Sequence, residues 1–163
     1  MSNPTSQIPP AGDPEQLEFR VVGPADEDLL FELLASVDAS TFRPHPFTRE
    51  ETHRIASRTG RDCYAMLVSR SEPPVAVAYG ILRGWDDGYA IASLGVAVRS
   101  SAQGQGLGRR MMECLHAYAR ECGSTSVRLR VNRSNIRARQ LYESMGYVVH
   151  GEERGEAVMV LEL

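Results

Sequence analysis

The segment that begins at Val96 reads VAVRSSAQGQGLGRRMMECL. Gly104, Gly106 and Gly108 alternate there with other residues, ahead of a helix-forming run and the pair Arg109 and Arg110. Glycine lets a backbone approach a ligand closely and turn successive N–H groups inward. A helix N-terminus adds partial positive charge, and two arginines add full charges. Together these make an anion cradle suited to a diphosphate. Two other phosphate loops do not fit. A dinucleotide fingerprint, G-x-G-x-x-G, would need glycine at position 109, which is Arg109. A Walker A loop needs lysine, and all 18 basic residues of this chain are arginine. A plain glycine-rich turn remains as the third reading. Metal and disulfide chemistry are not expected. Cys63, Cys114 and Cys122 are odd in number with no C-x-x-C spacing, and His45, His53, His116 and His150 are scattered.

The chain that must position these residues has 163 of them, enough for one domain, expected over residues 17–163. It is 42% apolar and 24% charged, a globular composition. Residues 1–16 carry Pro4, Pro9, Pro10 and Pro14 among small polar residues, which predicts a disordered tail. That start has no basic and apolar leader, and no window approaches about 18 apolar residues, so a cytoplasmic protein with no membrane contact is expected. The net charge of −3 gives no nucleic-acid signature. It is unevenly placed. Residues 1–98 hold 8 Arg and 14 acids, net −6; residues 99–140 hold 9 Arg and 2 acids, net +7; the remainder is net −4. A basic centre in an acidic chain suits a polyanionic ligand, although solvated arginine-rich helices would look the same.

A short strand is expected over residues 17–22, then a helix from Pro24 with Leu29, Leu30, Leu33, Leu34 and Val37 on one face. Pro44 and Pro46 bar regular structure around His45, and Thr48-x-x-Glu51 is a capping-box signature for a helix to about Ser57. Strands are predicted over 63–69, 75–82 and 89–98, the last two joined by the hairpin connection 84–88. A helix over 107–121 ends at Gly123, a strand covers 126–131, and a helix covers 135–145 with Gly146 as its cap. Residues 147–150 and 157–163 complete the pattern as two antiparallel strands around a connection at 151–155.

Two stretches carry a family resemblance. Gln103-Gly104-Gln105-Gly106-Leu107-Gly108 resembles the Q/R-x-x-G-x-G/A motif of the GNAT superfamily of acyl-CoA-dependent N-acetyltransferases, placed as in that family just after the central strand. Asn135, Ala138, Leu141-Tyr142-Glu143 and Gly146-Tyr147 resemble its N-x-x-A-x-x-L-Y-x-x-x-G-Y/F helix and following strand. Ser100 departs from a proline that is frequent in the family. The resemblance spans residues 17–163. It implies an α/β fold of the α+β kind: a central mixed sheet of six to seven strands flanked by about four helices, splayed at the cofactor site. It implies acetyl-CoA as co-substrate and no metal. Val96, Ala97 and Val98 would offer backbone groups to the pantetheine arm. Gln103, Gly104, Gln105, Gly106, Leu107 and Gly108 would hold the diphosphate, with Arg109 beside it. Asn135 would contact the cofactor arm, and Tyr142 would be the catalytic acid at the thioester sulfur. Asn135 also reads as an N-cap, Tyr142 as a core aromatic, and Tyr147 as core.

The reaction implied is attack of a neutral primary amine of a small molecule on the thioester, directly in a ternary complex. Protein or peptide amines are an alternative acceptor, and a non-catalytic acyl-CoA-binding regulatory domain is the alternative of another class. A lysine-like amine with a pKa of about 10.4 loses its proton at pH 7 at a cost of roughly 4.6 kcal/mol. Relatives often place an acid on the central strand for this, but residues 91–96 offer only Ser93. His45, Asp86 and Asp87 are further candidates for the base. The acceptor would be framed by residues 42–47 and 83–89, with Phe42, His45, Tyr79, Trp85 and Ser93 as candidate lining. The acidic first 98 residues favour a cationic acceptor. A monomer or a homodimer fits equally.

Overall fold

The computed structural model describes residues 16–163, so the expected tail lies, but for Gln16, outside the described residues. Strand β1, Leu17–Val21, pairs antiparallel with β2, Cys63–Ser69, from Leu17 opposite Ser69 to Val21 opposite Ala65. Between them lie two short helices. Pro24 opens a 3-10 turn, Pro24–Asp26, in which the Asp26 carboxylate accepts from Gly23 N–H at 3.0 Å. That turn leads into α1, Glu27–Ala35, which buries Leu30, Leu33 and Leu34. Helix α2, Arg49–Ser57, starts where the capping signature places it: Thr48 Oγ1 accepts from Glu51 N–H at 3.2 Å.

Every residue of β2 is buried, and so are all but the last of β3, Ala76–Arg83. Runs this apolar must be covered on both faces. Then follow β4, Ala92–Val98; α3, Leu107–Glu121; β5, Ser126–Asn132; α4, Ile136–Ser144; β6, Val148–Glu153; and β7, Glu156–Glu162. The seven strands form one open mixed sheet in the order β1-β2-β3-β4-β5-β7-β6, within the six to seven strands that the resemblance implies. β4 and β5 run parallel, joined through α3, while β5, β7 and β6 are antiparallel neighbours. Among the described residues the β4–β5 register holds two pairs, Ala92 with Val127 and Ser93 with Arg128, whereas β5–β7 holds seven. The ladder therefore ends at Ser93, before β4 does.

Two expectations are corrected. β4 begins at Ala92 rather than at residue 89, because Tyr89 N–H donates to Gly84 C=O at 2.9 Å and closes the loop; Tyr89 is 67% exposed. The last connection is also shorter than 151–155. β6 continues through Gly151 across a bulge and turns at Arg154–Gly155, where both residues have positive φ, as a two-residue hairpin turn requires.

By internal contacts the chain divides into two compact units. Among the described residues, one comprises 16–58, Ala65–Tyr79 and Val96–Met111; the other comprises Thr59–Tyr64, Gly80–Gly95 and Met112–Leu163.

Candidate active site

In the first unit, the stretch leading to the glycine loop is tied down. Arg99 N–H donates to Val77 C=O and Arg99 Nε to Ala76 C=O, both at 2.9 Å. Ser100 N–H and Oγ both donate to Ser36 C=O, at 3.1 and 2.8 Å. Ala102 is fully buried. Beyond this anchor the chain opens. Gly104 and Gly106 have φ of 78° and 75°, and a Cβ at either would meet no heavy atom within 4 Å. Left-handed backbone demands glycine at both positions, and the open space leaves room for a ligand against the main chain. Gly108 differs: its Cβ would meet only Val98 Cγ2, at an ordinary 3.8 Å.

The helical ladder of α3 takes up Arg110 N–H, which donates to Gly106 C=O at 3.1 Å. The N–H groups of Leu107 and Gly108 lie ahead of it, at the positive end of the helix dipole. Arg109 is exposed beside them, and buried Gln105 Oε1 has no hydrogen-bond partner within the protein. The open glycine loop, the helix-end donors and the Arg109 cation together fit a polyoxygen anion; the Gln105 amide oxygen is an acceptor and suits an N–H or O–H donor instead. Just before the loop, Ala97 is buried, while Val96 and Val98 are half-buried.

The same unit brings Phe42, His45 and Tyr79 together. The Phe42 and Tyr79 rings meet edge-on at 6.3 Å, and His45 lies 5.8 Å from Tyr79 and 5.4 Å from Phe47. In the neutral imidazole, His45 Nδ1–H donates to Pro46 C=O at 2.9 Å, since a carbonyl only accepts. Nε2 then accepts from Tyr79 Oη–H at 2.8 Å. The lone pair that a general base would use is thus engaged. Tyr79 is fully buried, so it holds the Pro-His-Pro loop on β3 instead of lining an acceptor site.

In the second unit, Trp85 is likewise core, 6% exposed, with the Arg61 guanidinium 5.8 Å from its ring. Asp86 ties the 84–88 connection to the segment before β2: its two oxygens accept from Arg61 N–H at 2.7 Å and Asp62 N–H at 3.3 Å. Ser93 is half-buried at the end of the β4–β5 ladder. Asn135 caps α4, its Oδ1 accepting from Ala138 N–H at 3.2 Å. Tyr142 lies on the last turn of that helix, half-buried, and burial raises its phenol above the usual value. Its ring lies 5.9 Å from that of Tyr147, whose hydroxyl is 2.7 Å from His116 Nε2. Sequence reasoning missed this histidine–tyrosine pair. The available signal was a lone histidine on the apolar stripe of α3, beside the buried Met112, Leu115 and Ala119. Among the described residues no group of three His, Cys, Asp or Glu is arranged to hold a metal ion, and no helix is long and apolar enough to cross a membrane.

Comparisons with known proteins follow the same lines. No curated protein sequence matches the chain significantly. Solved structures share its fold. A GCN5-related N-acetyltransferase from Kribbella flavida superposes with a TM-score of 0.70 at 21% identity, covering 93% of this chain and 100% of that one. YncA from Salmonella typhimurium, solved with its cofactor acetyl-CoA, gives 0.63 at 22% identity over 90% and 94%. Mutant forms of the spermidine/spermine N-acetyltransferase SpeG from Vibrio cholerae give 0.69 at 15% identity over 90% and 95%. The acetyltransferase (GNAT) family profile matches residues 30–147, a span that contains the glycine loop, the Asn135 cap and Tyr142, and the chain belongs to that family.

Proposed function

We propose that the chain transfers the acetyl group of acetyl-CoA to a primary amine of a small molecule by direct attack in a ternary complex. The observation that carries the reading is the loop ahead of α3, with its two left-handed glycines, open space and helix-end donors. It suits the cofactor diphosphate, held by the main chain of residues 103–108 with Arg109 beside it. Val96, Ala97 and Val98 offer backbone groups to the pantetheine arm, consistent with a β4–β5 ladder that stops at Ser93. Asn135 contacts that arm. The amine nitrogen attacks the thioester carbon, the C–S bond breaks, and Tyr142 gives its proton to the departing sulfur. The proton shed by the amine leaves to solvent, from which Tyr142 is reprotonated. The small-amine acceptor is supported by the likeness to SpeG and by the acidic first 98 residues.

The test has two arms. Release of free thiol from acetyl-CoA is measured against a panel of small amines and a panel of peptides; turnover with peptides alone would overturn the small-molecule acceptor. Gly106→Asp, which puts a side chain and a negative charge into the open loop, is expected to abolish calorimetric acetyl-CoA binding with a native circular dichroism spectrum. Unchanged affinity would remove the loop from the cofactor site.

A further inference from the structure

Tyr142 is held by the end of its helix rather than by burial of the helix itself. None of the residues of α4 is fully buried. Beyond Met145, Gly146 N–H donates to Glu143 C=O and Tyr147 N–H donates to Tyr142 C=O, both at 3.0 Å. This pair of bonds is a Schellman motif, in which the residue after the glycine packs on the residue whose carbonyl it holds. Here that packing is ring on ring: Tyr147 on Tyr142, tilted by 56°. Tyr147 is 3% exposed, and its far end is tied as well, because Oη meets Nε2 of the buried His116 on α3 at 2.7 Å. Burial, with the Arg120 guanidinium one turn on, lowers the His116 pKa to about 4, so the bond joins two neutral groups at neutral pH.

We propose that His116 is a positioning residue for Tyr142, acting through Tyr147; this rests on the reading of Tyr142 as the general acid. A phenylalanine at 147 would supply the same apolar contact to the motif. What the hydroxyl adds is a second fixed point. Tyr147 is held by its backbone at one end and by α3 at the other, so its ring cannot slide along Tyr142. The Tyr142 phenol takes its direction from that surface. Proton transfer to a leaving sulfur depends on donor alignment, and small misplacements cost rate without costing affinity.

The experiment is a double-mutant cycle under conditions where chemistry limits turnover. Tyr147→Phe and His116→Phe are made alone and on a Tyr142→Phe background. Each alone is expected to lower kcat by about threefold to tenfold with KM for acetyl-CoA nearly unchanged. Neither is expected to lower kcat further once Tyr142→Phe is present, and His116→Gln, which can still bond the hydroxyl, is expected to recover part of the loss. An undiminished loss on the Tyr142→Phe background overturns the proposal, since the pair then acts on the fold at large. A wild-type kcat in Tyr142→Phe removes the general-acid reading itself and this proposal with it, a separate and recognisable outcome. Should His116→Phe fail to fold, Tyr147→Phe, which deletes one oxygen, carries the cycle.

Discussion

Tyr142 shows how surroundings set what a side chain can do. Burial raises its phenol above the usual value, so it stays protonated throughout the neutral range. The same shift limits its strength as an acid. A thiol of pKa about 8.5 protonated by a phenol of about 10 or above leaves a deficit of at least roughly 2 kcal/mol. Tyr142→Phe is therefore expected to lower kcat by roughly 10–1,000-fold, toward the smaller figure, with acetyl-CoA affinity unmoved. The protonated form is the active one, and its pKa is raised, so ionisation of Tyr142 removes activity only above the ordinary phenol range. A descending limb of kcat at neutral pH that vanishes in Tyr142→Phe would contradict this. At this scale the glycine loop was legible in the sequence because left-handed backbone restricts residue type directly. The His116–Tyr147 bond was not, because it joins residues 31 apart that meet only through tertiary packing. Tyr79 and Trp85 misled for the opposite reason: their types suggest a binding surface, but hydrophobic burial claimed both.

Among elements, the caps carry the separable predictions. Asn135 caps α4 and is also proposed to contact the cofactor arm. Asn135→Ser keeps a capping oxygen, while Asn135→Ala loses it and is expected to cost about 1 kcal/mol in urea unfolding. If the cofactor role holds, both variants weaken acetyl-CoA binding in calorimetry, and only the alanine variant loses stability. Wild-type affinity in the serine variant would leave Asn135 as a cap alone. His116 on α3 gives a stability signature. Its folded pKa of about 4 lies below the unfolded 6.5, so between those values the unfolded chain binds a proton that the folded chain refuses. Stability should fall as pH drops from 6.5 to 4, by on the order of 3 kcal/mol from this group. His116→Gln should flatten that part of the urea midpoint against pH; an unchanged slope would assign it elsewhere. Element boundaries were legible where local chemistry fixes them, as at Thr48 or Leu107 to Glu121. They were misread where a backbone bond intervened: Tyr89 to Gly84 delays β4, and the bulge near Gly151 extends β6.

For the molecule as a whole, the mixed sheet of six to seven strands came within reach through the family resemblance, but the strand order did not, because hydrophobic patterning marks strands without saying which are neighbours. The catalytic base is a whole-molecule question too, since the candidates come from separate loops and strands. The structure engages two of them. His45 Nε2 accepts from Tyr79, and Asp86 holds two backbone N–H groups. Ser93, the protic side chain on the central strand, has no basicity near neutral pH. The chain should therefore act on amine that has already lost its proton to solvent. In that case kcat/KM for a lysine-like acceptor rises tenfold per pH unit toward the amine's own pKa of about 10.4, with no plateau near neutrality. Ser93→Ala should cost about tenfold or less, as expected for a residue that at most holds a water. The acidic first 98 residues add a second dependence: kcat/KM for a cationic amine should fall as salt is raised, and that for an uncharged amine should not. A profile that levels off near pH 6.5, and that loses this ionisation in His45→Ala, would mean that the imidazole exchanges Tyr79 for the substrate during turnover, and the solvent-deprotonation reading would then be wrong.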